Sequence, residues 1–360
     1  MTCTEPSLEN NTRHTAAQVF AKMARAFEAA ASEYPDLLRQ YPCTFAGRPA
    51  MIRTVGRRCD RHLVPPLSHL IDDRTDFPEL DLMIDVWDAE ETGVPYPGPP
   101  VPSELLWTEF GHIVGEPDQQ FLACLRPNLY SWIDRSGHRI IACSPNGDRF
   151  TLYERAKPFL FPLLLWHGDR NAQVIHAALV EKGGRGVLIV GREGAGKTTT
   201  ALACVQAGFN YLADDYVALK EEGRFFHGYS IYNSTWLDET HVTHFPPLRA
   251  HMFAGHEAKR PVLLSEVWPD RLSRVATIRM VVIPLVGNGS ACTVRPASRR
   301  EALFAVAPTS IAKRPGTSQR DLDRLGRLVE SAPLHVLELG DDVRDAGLVV
   351  GGLLAAECAR

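Results

Sequence analysis

The octapeptide Gly191-Arg192-Glu193-Gly194-Ala195-Gly196-Lys197-Thr198 fits the pattern G-x-x-x-x-G-K-[ST]. Glycines at these positions let successive backbone N–H groups turn inward around a phosphate without Cβ clashes. Lys197 can reach the outer phosphates as a point charge, and the Thr198 hydroxyl is placed to ligate Mg2+. Upstream, Val187 to Val190 is an unbroken apolar run with three β-branched residues, as in a strand buried on both faces. Downstream, a helix is expected over roughly 197–207, its positive N-terminal end facing the same anion. The expected nucleotide site is the loop Gly191, Arg192, Glu193, Gly194, Ala195, Gly196, Lys197, Thr198 and Thr199.

A second feature lies close behind. The stretch FNYLADDYVAL (209–219) reads as a strand carrying Asp214 and Asp215. Two adjacent carboxylates inside an apolar strand are very unfavourable without a cation or donors. A strand end beside a Mg2+–phosphate supplies both. Neighbouring strand residues point to opposite faces, so the two acids need not share a task. One can hold the metal, directly or through water, and the other can accept a proton from an attacking hydroxyl.

The third feature is a histidine. In QVIHAALVEKGGRGVLIVG, two apolar runs flank Lys182-Gly183-Gly184-Arg185, which predicts a two-residue hairpin turn at Gly183-Gly184. That register sets Lys182 opposite Arg185 and His176 opposite Gly191, the first residue of the phosphate loop. A lone histidine in an apolar strand is usually a satisfied core residue; this pairing gives it a reason to be at the site.

Other elements must position these groups. Residues 14–32 place Ala16, Val19, Phe20, Met23, Phe27 and Ala30 on one helical stripe, expected to pack on the protein itself. From about 41 to 150 the texture is of short strands, PAMIRTVG, LDLMIDVWD, FLACLRPNLYSWI and HRIIACS, with DRSGH and SPNGD as hairpin turns. The proline-rich stretch 93–103 is a loop or linker. This half shows no catalytic constellation, and its isolated His and Asp residues are expected to be solvated. TLYERAKPFLFPLLLWHG predicts a helix kinked or divided at Pro158 and Pro162. After it the pattern becomes strand, Gly-rich turn, helix, strand. Further on, 276–286 is a strand candidate, SRREALFAVAP, QRDLDRLGRLVESAP and DVRDAGLVVGGLLAAECA are helices, and LHVLELG is a strand. The HVTH histidines (241–244) sit in a proline-flanked loop without the glutamate of H-E-x-x-H, so no metal site is assigned there, although Asp238 or Glu239 lies within reach.

Bulk properties narrow the class. A length of 360 residues suggests two domains or three. A net charge of −4 gives no reason to expect nucleic-acid binding. No apolar run approaches the ~20 residues of a membrane span, and the MTCTEPSLEN terminus carries acids where a signal peptide carries positive charge. None of the eight cysteines forms a C-x-x-C pair. A soluble cytoplasmic protein is expected.

Taken together, HAALV, GREGAGKT and YLADDYVAL resemble the bacterial HPr kinase/phosphorylase family, whose catalytic domain is related to phosphoenolpyruvate carboxykinase. The resemblance covers roughly 150–350. It implies an α/β chain with an HPr-kinase-type P-loop (Walker A) catalytic domain at 151–360; ahead of it the chain's own patterning gives a helical segment at 1–40 and a smaller α+β domain at 41–150, which does not look like the family's usual N-terminal domain and could recognise substrate. It implies ATP and Mg2+ as cofactors, with Lys197 stabilising the transferring phosphoryl group, Thr198 binding Mg2+, Asp214 supporting the metal, Asp215 as general base and His176 assisting at the phosphoryl centre. Where the family usually has serine then glutamate after the loop lysine, this chain has Thr198 and Thr199. It therefore resembles the divergent HPr-kinase-like group, some of which act on peptides, including lasso-peptide precursors. The expected activity is an ATP-dependent serine kinase acting on a peptide or small protein, with a homo-oligomer left open. Alternatives are a kinase for a small metabolite such as free serine, and a nucleotide-binding regulatory protein with slow hydrolysis.

Overall fold

Thr15 opens the first helix with a capping box: its side chain accepts from the Gln18 backbone while the Gln18 side chain returns to the Thr15 N–H. Helix α1 (Ala16–Glu33) then buries Val19, Phe20, Met23, Phe27 and Ala30 of the stripe expected from sequence, with Ala16 at its start half-buried. The structure, a computed structural model, describes residues 15–73, 79–100, 110–116, 118–287, 289–311 and 319–357. The MTCTEPSLEN terminus, residues 101–103 of the proline-rich stretch, Cys3 and Cys358 lie outside the described residues.

Seven strands follow α1: β1 (Leu38–Phe45) and β2 (Arg48–Val55), then, after α2 (Arg57–Leu63), β3 (Leu82–Asp88), α3 (Ala89–Thr92), β4 (His112–Val114), β5 (Phe121–Leu125), β6 (Tyr130–Asp134) and β7 (Arg139–Ser144). They form one mixed sheet in the order β1-β2-β3-β7-β6-β5-β4, parallel at β2–β3 and β3–β7. The apolar stripe of α1 packs on Val55, Trp87, Trp132 and Ile141 of this sheet. DRSGH does close the β6–β7 hairpin. SPNGD does not close one: Asn146 caps a single 3-10 turn, Gly147–Arg149, that leads the chain off the sheet.

The acids of this half are not all solvated, as the sequence had suggested. Asp85 is fully buried between Arg53, whose Nε donates to it at 2.6 Å, and Arg139, at 2.7 Å. Asp88 is also buried and accepts from the backbone of Glu90, Glu91 and Gly147. Burial forces such partners, because an unpaired carboxylate away from water is far costlier than a paired one. His69 is partly buried, its Nε2 lying 2.6 Å from Ser230 Oγ.

The second half begins with α4 (Leu152–Ala156) and α5 (Leu160–Asp169). Pro158 separates them, while Pro162 sits in the first turn of α5, where a missing N–H leaves no intrahelical bond unmade. Leu160 to His167 are all buried. A helix apolar on every side belongs inside the protein, and α5 lies in a core shared by Phe45, Ile52 and Ile84 of the first sheet and by Val174 and Ala218 of the second.

The second sheet is built from β8 (Ala172–Ile175), β9 (Ala178–Lys182), β10 (Arg185–Ile189), β11 (Asn210–Ala213), β12 (Val217–Glu222), β13 (Phe225–Ser230), β16 (Val275–Val286), β17 (Thr293–Pro296) and β18 (Leu334–Leu339). Between β13 and β16 the pair β14 (Ser234–Leu237) and β15 (Arg260–Leu263) forms a small separate sheet, with α7 (Pro246–Arg249) between them. Helix α6 (Lys197–Gln206) links β10 to β11; α8 (Arg299–Ile311), α9 (Gln319–Ser331) and α10 (Arg344–Ala356) complete the chain. The main path is β11-β9-β10-β16-β13-β12-β8. Gly347 lets α10 lie directly on α6, because a Cβ there would meet Ala203 O at 2.1 Å. Among the described residues no helix is long and apolar enough to cross a membrane.

The two sheets also meet at His69. Burial, aided by the Arg274 guanidinium, pushes its imidazole down to about 3. The unfolded chain binds a proton near the ordinary value of about 6.5, so the folded state loses stability as pH falls from about 6.5 toward 3. His69→Gln should flatten that part of the stability-versus-pH curve in urea unfolding while leaving the region above pH 7 on its own, pH-independent offset.

Candidate functional site

The site forms where two strands break together. Strand β9 pairs antiparallel with β10, Lys182 opposite Arg185 and Ala178 opposite Ile189, around the Gly183-Gly184 turn expected from sequence. The ladder ends there, so His176 does not reach the position opposite Gly191. It lies in the bend between β8 and β9. The Asp pair shows the same departure: Asp214 and Asp215 are not inside a strand but in the bend between β11 and β12. Strand β8 pairs with β12, setting Ile175 opposite Val217, while β9 pairs with β11. Thus β8 and β11, the two ends of the sheet path, are chain continuations of inner strands. Both crossings occur at one level, and they bring His176 Nε2 to 3.4 Å from Asp215 Oδ1. Asp215 takes a left-handed conformation, φ 73°, uncommon for a residue other than glycine.

The two carboxylates face different partners. Asp214 is buried, and its Oδ2 accepts from Thr198 Oγ1 and Thr235 Oγ1, each at 2.8 Å. Its Oδ1 is buried without a hydrogen-bond partner. Asp215 instead bonds the Lys157 ammonium through Oδ2 and faces His176 through Oδ1. Burial, then the adjacent Asp215 charge, pushes Asp214 above the usual carboxylate range. Burial acts the same way on Asp215, but Lys157 and then His176 outweigh it and hold that carboxyl well below the range. The His176 backbone N–H donates to Ser310 Oγ at 3.1 Å, and its ring packs edge-on against Tyr216.

The glycine loop runs from the end of β10 into α6. Gly194 and Gly196 have φ 77° and 99°, and a Cβ on Gly196 would also meet Leu339 Cδ1 at 2.6 Å. Lys197 is buried and donates to the loop's own carbonyls, Gly191 O at 2.9 Å and Arg192 O at 3.3 Å. Burial lowers its ammonium, and Asp214 and Asp215 oppose that shift. Arg192, Glu193 and Gly194 are exposed, and Ala195 and Thr199 are buried. The structure therefore brings together His176, Lys197, Thr198, Asp214 and Asp215. The Thr198 hydroxyl and the unpartnered Asp214 oxygen are hard-oxygen donors of the kind that suits Mg2+, which leaves most of its positions to water and phosphate. Among the described residues no group of three His, Cys, Asp or Glu residues could hold a metal by itself. His241 of HVTH bonds Asp238, at 2.7 Å.

Three participants escaped the sequence reading. Lys157 follows α4, and Thr235 and Trp236 belong to β14. The Lys157 Nζ lies 5.1 Å from the Tyr216 ring centroid and 5.6 Å from that of Trp236. A lysine amid apolar residues just before a proline was the available signal, since such a cation needs a buried acid.

A strand, a glycine-rich loop and a helix, with two carboxylates and an imidazole at its mouth, define an α/β protein built around a glycine-rich turn. Residues 170–232 match the HPr Serine kinase C-terminal domain. The chain is 35% identical to the HPr kinase/phosphorylase of Clostridium acetobutylicum over 86 residues, 23% of this chain and 28% of that protein. It is 48% identical to the HPr kinase/phosphorylase of Bacillus licheniformis over 48 residues, 13% of this chain and 16% of the relative. It thus spans less than a third of the length of these relatives. The HPr(Ser) kinase/phosphatase from Coxiella burnetii superposes with a TM-score of 0.31 and 15% identity, covering 52% of this chain and 91% of that one. Over its matched segment this chain is HPr-kinase-like.

The loop geometry predicts unequal effects of two substitutions. Gly194→Ala meets only the left-handed backbone penalty of about 1–2 kcal/mol, since nothing lies within 4 Å of its Cβ. Gly196→Ala adds the collision with Leu339 and should lose more stability in urea unfolding; equal losses would contradict the geometry.

Proposed function

We propose that this protein is an ATP- and Mg2+-dependent kinase that phosphorylates a serine hydroxyl on a peptide or small protein. The observation that carries the proposal is the convergence of Asp215, His176 and the Thr198–Asp214 pair beside the glycine loop. Gly191 to Thr199 would cradle the phosphates of ATP with inward backbone N–H groups and the N-terminus of α6. Lys197, now bonded to Gly191 O and Arg192 O, would exchange those carbonyls for phosphate oxygens. Thr198 and Asp214 would hold Mg2+, which when bound neutralises charge on the phosphates.

Asp215 would accept the proton of the acceptor hydroxyl. In that step the acceptor O–H bond breaks and its proton passes to the carboxylate. A bond forms between the acceptor oxygen and the γ-phosphorus, and the bond to the β–γ bridging oxygen breaks, its electron pair leaving with ADP. A carboxylate held ionised by Lys157 and His176 suits this task, because phosphoryl transfer goes through a loose transition state in which the base mainly orients the nucleophile. His176 would assist at the phosphoryl centre. Residues 41–150, which carry most of the first sheet, would contribute acceptor recognition, as part of a division into 1–40, 41–150 and 151–360.

Asp215→Asn should lower transfer from labelled ATP to serine-containing peptides by about 10²–10⁴-fold while ATP binding survives. An unchanged transfer rate would remove Asp215 as base. Labelling of free serine in place of the peptides would shift the proposed acceptor to a small metabolite.

A further inference from the structure

We propose that Lys157 is a positioning residue of the transfer site: its ammonium sets the orientation of the Asp215 carboxylate, so that chain upstream of the family-matched segment completes the site. The inference rests on the reading of Asp215 as the base. Lys157 lies outside residues 170–232, the stretch that matches the family. Only 5% of it is exposed.

The surroundings hold it at both ends. On either side of Lys157 the backbone carbonyls are fixed by buried donors: Ser234 Oγ donates to Ala156 O at 2.8 Å and Tyr232 OH donates to Pro158 O at 2.7 Å. Its own N–H donates to Tyr153 O at 3.0 Å. Further out, the side chain passes between Tyr216 and Trp236, whose ring faces attract an ammonium. The only acid the described structure gives its Nζ is Asp215.

An ion pair that merely offset the burial of a lysine would need none of this apparatus. Here the acid is itself constrained, in a left-handed backbone conformation at a strand break. Each of its oxygens has one charged or chargeable neighbour, Lys157 at Oδ2 and His176 at Oδ1. An ionised carboxylate offers about four lone-pair sites, so this arrangement fixes the plane of the carboxylate and leaves room for a hydroxyl. The same short segment of chain, Tyr232 to Trp236, steers both acids: Thr235 bonds Asp214, while its neighbours seat Lys157.

The test uses the full chain with Mg·ATP and water as acceptor, reading phosphate release in the wild type, Lys157→Met, Lys157→Ala and Asp215→Asn. Misplacement of a reacting group by about 1 Å costs about 100-fold. Both Lys157 variants should therefore lose about that much kcat with KM for Mg·ATP nearly unchanged. Added n-propylammonium should restore Lys157→Ala, and n-propanol, which fills the same space without charge, should not. The near-isosteric Lys157→Met decides the matter if Lys157→Ala does not fold. Undiminished kcat in Lys157→Met beside an inactive Asp215→Asn would overturn the role of Lys157 and leave the base assignment standing, as would equal rescue by the alcohol. Full activity in Asp215→Asn would instead remove Asp215 as the base and, with it, any role of Lys157 through that carboxylate.

Discussion

Two carboxylates cannot sit side by side in a protein interior unless each is given its own compensation. Asp214 and Asp215 meet that constraint by division. Asp215 takes the Lys157 ammonium and the His176 imidazole. Asp214 takes two hydroxyls and keeps one oxygen unpartnered. Like charges at short range drive their ionisation apart, and here the direction follows the partners: Asp215 down, Asp214 up. One acid is thereby fixed as a charge. The other is left short of donors, as a group awaiting a cation would be.

The fold makes this division geometrically feasible. Had FNYLADDYVAL been one regular strand, the two side chains would point to opposite faces, but neither would meet His176. The break between β11 and β12 moves β12 across to β8, and the matching break at His176 lets the chain follow. Asp215 stands at the corner in a conformation that a regular strand forbids. The first sheet then matters to the site through the shared core around α5, which anchors the Ala156–Phe159 turn and with it Lys157.

What could be read from the sequence was whatever local chemistry encodes. The GREGAGKT loop, the strand before it, the helix after it and the Gly183-Gly184 turn all depend on neighbours within a few residues, and all are present. The stripe of α1 likewise follows from helical spacing alone. The misreadings were of long-range origin. Continuous apolar character hid both strand breaks, because buried strands and buried bends carry the same residues. The parallel pairing of β2, β3 and β7 buried Asp85 and Asp88, which looked like surface acids. Lys157, Thr235 and Trp236 carry no motif and reach the site only through tertiary packing.

The central proposal is that the terminal phosphate of ATP is received between Lys197, the Asp pair and His176. A crystal structure with a non-hydrolysable ATP analogue and Mn2+, located by its anomalous signal, tests it most directly. The proposal predicts the metal between Thr198 and Asp214, and the γ-phosphate within hydrogen-bond reach of Lys197 on the side faced by Asp215 and His176. A nucleotide seated in the loop with both carboxylates turned away into solvent, or a metal held elsewhere, would contradict it.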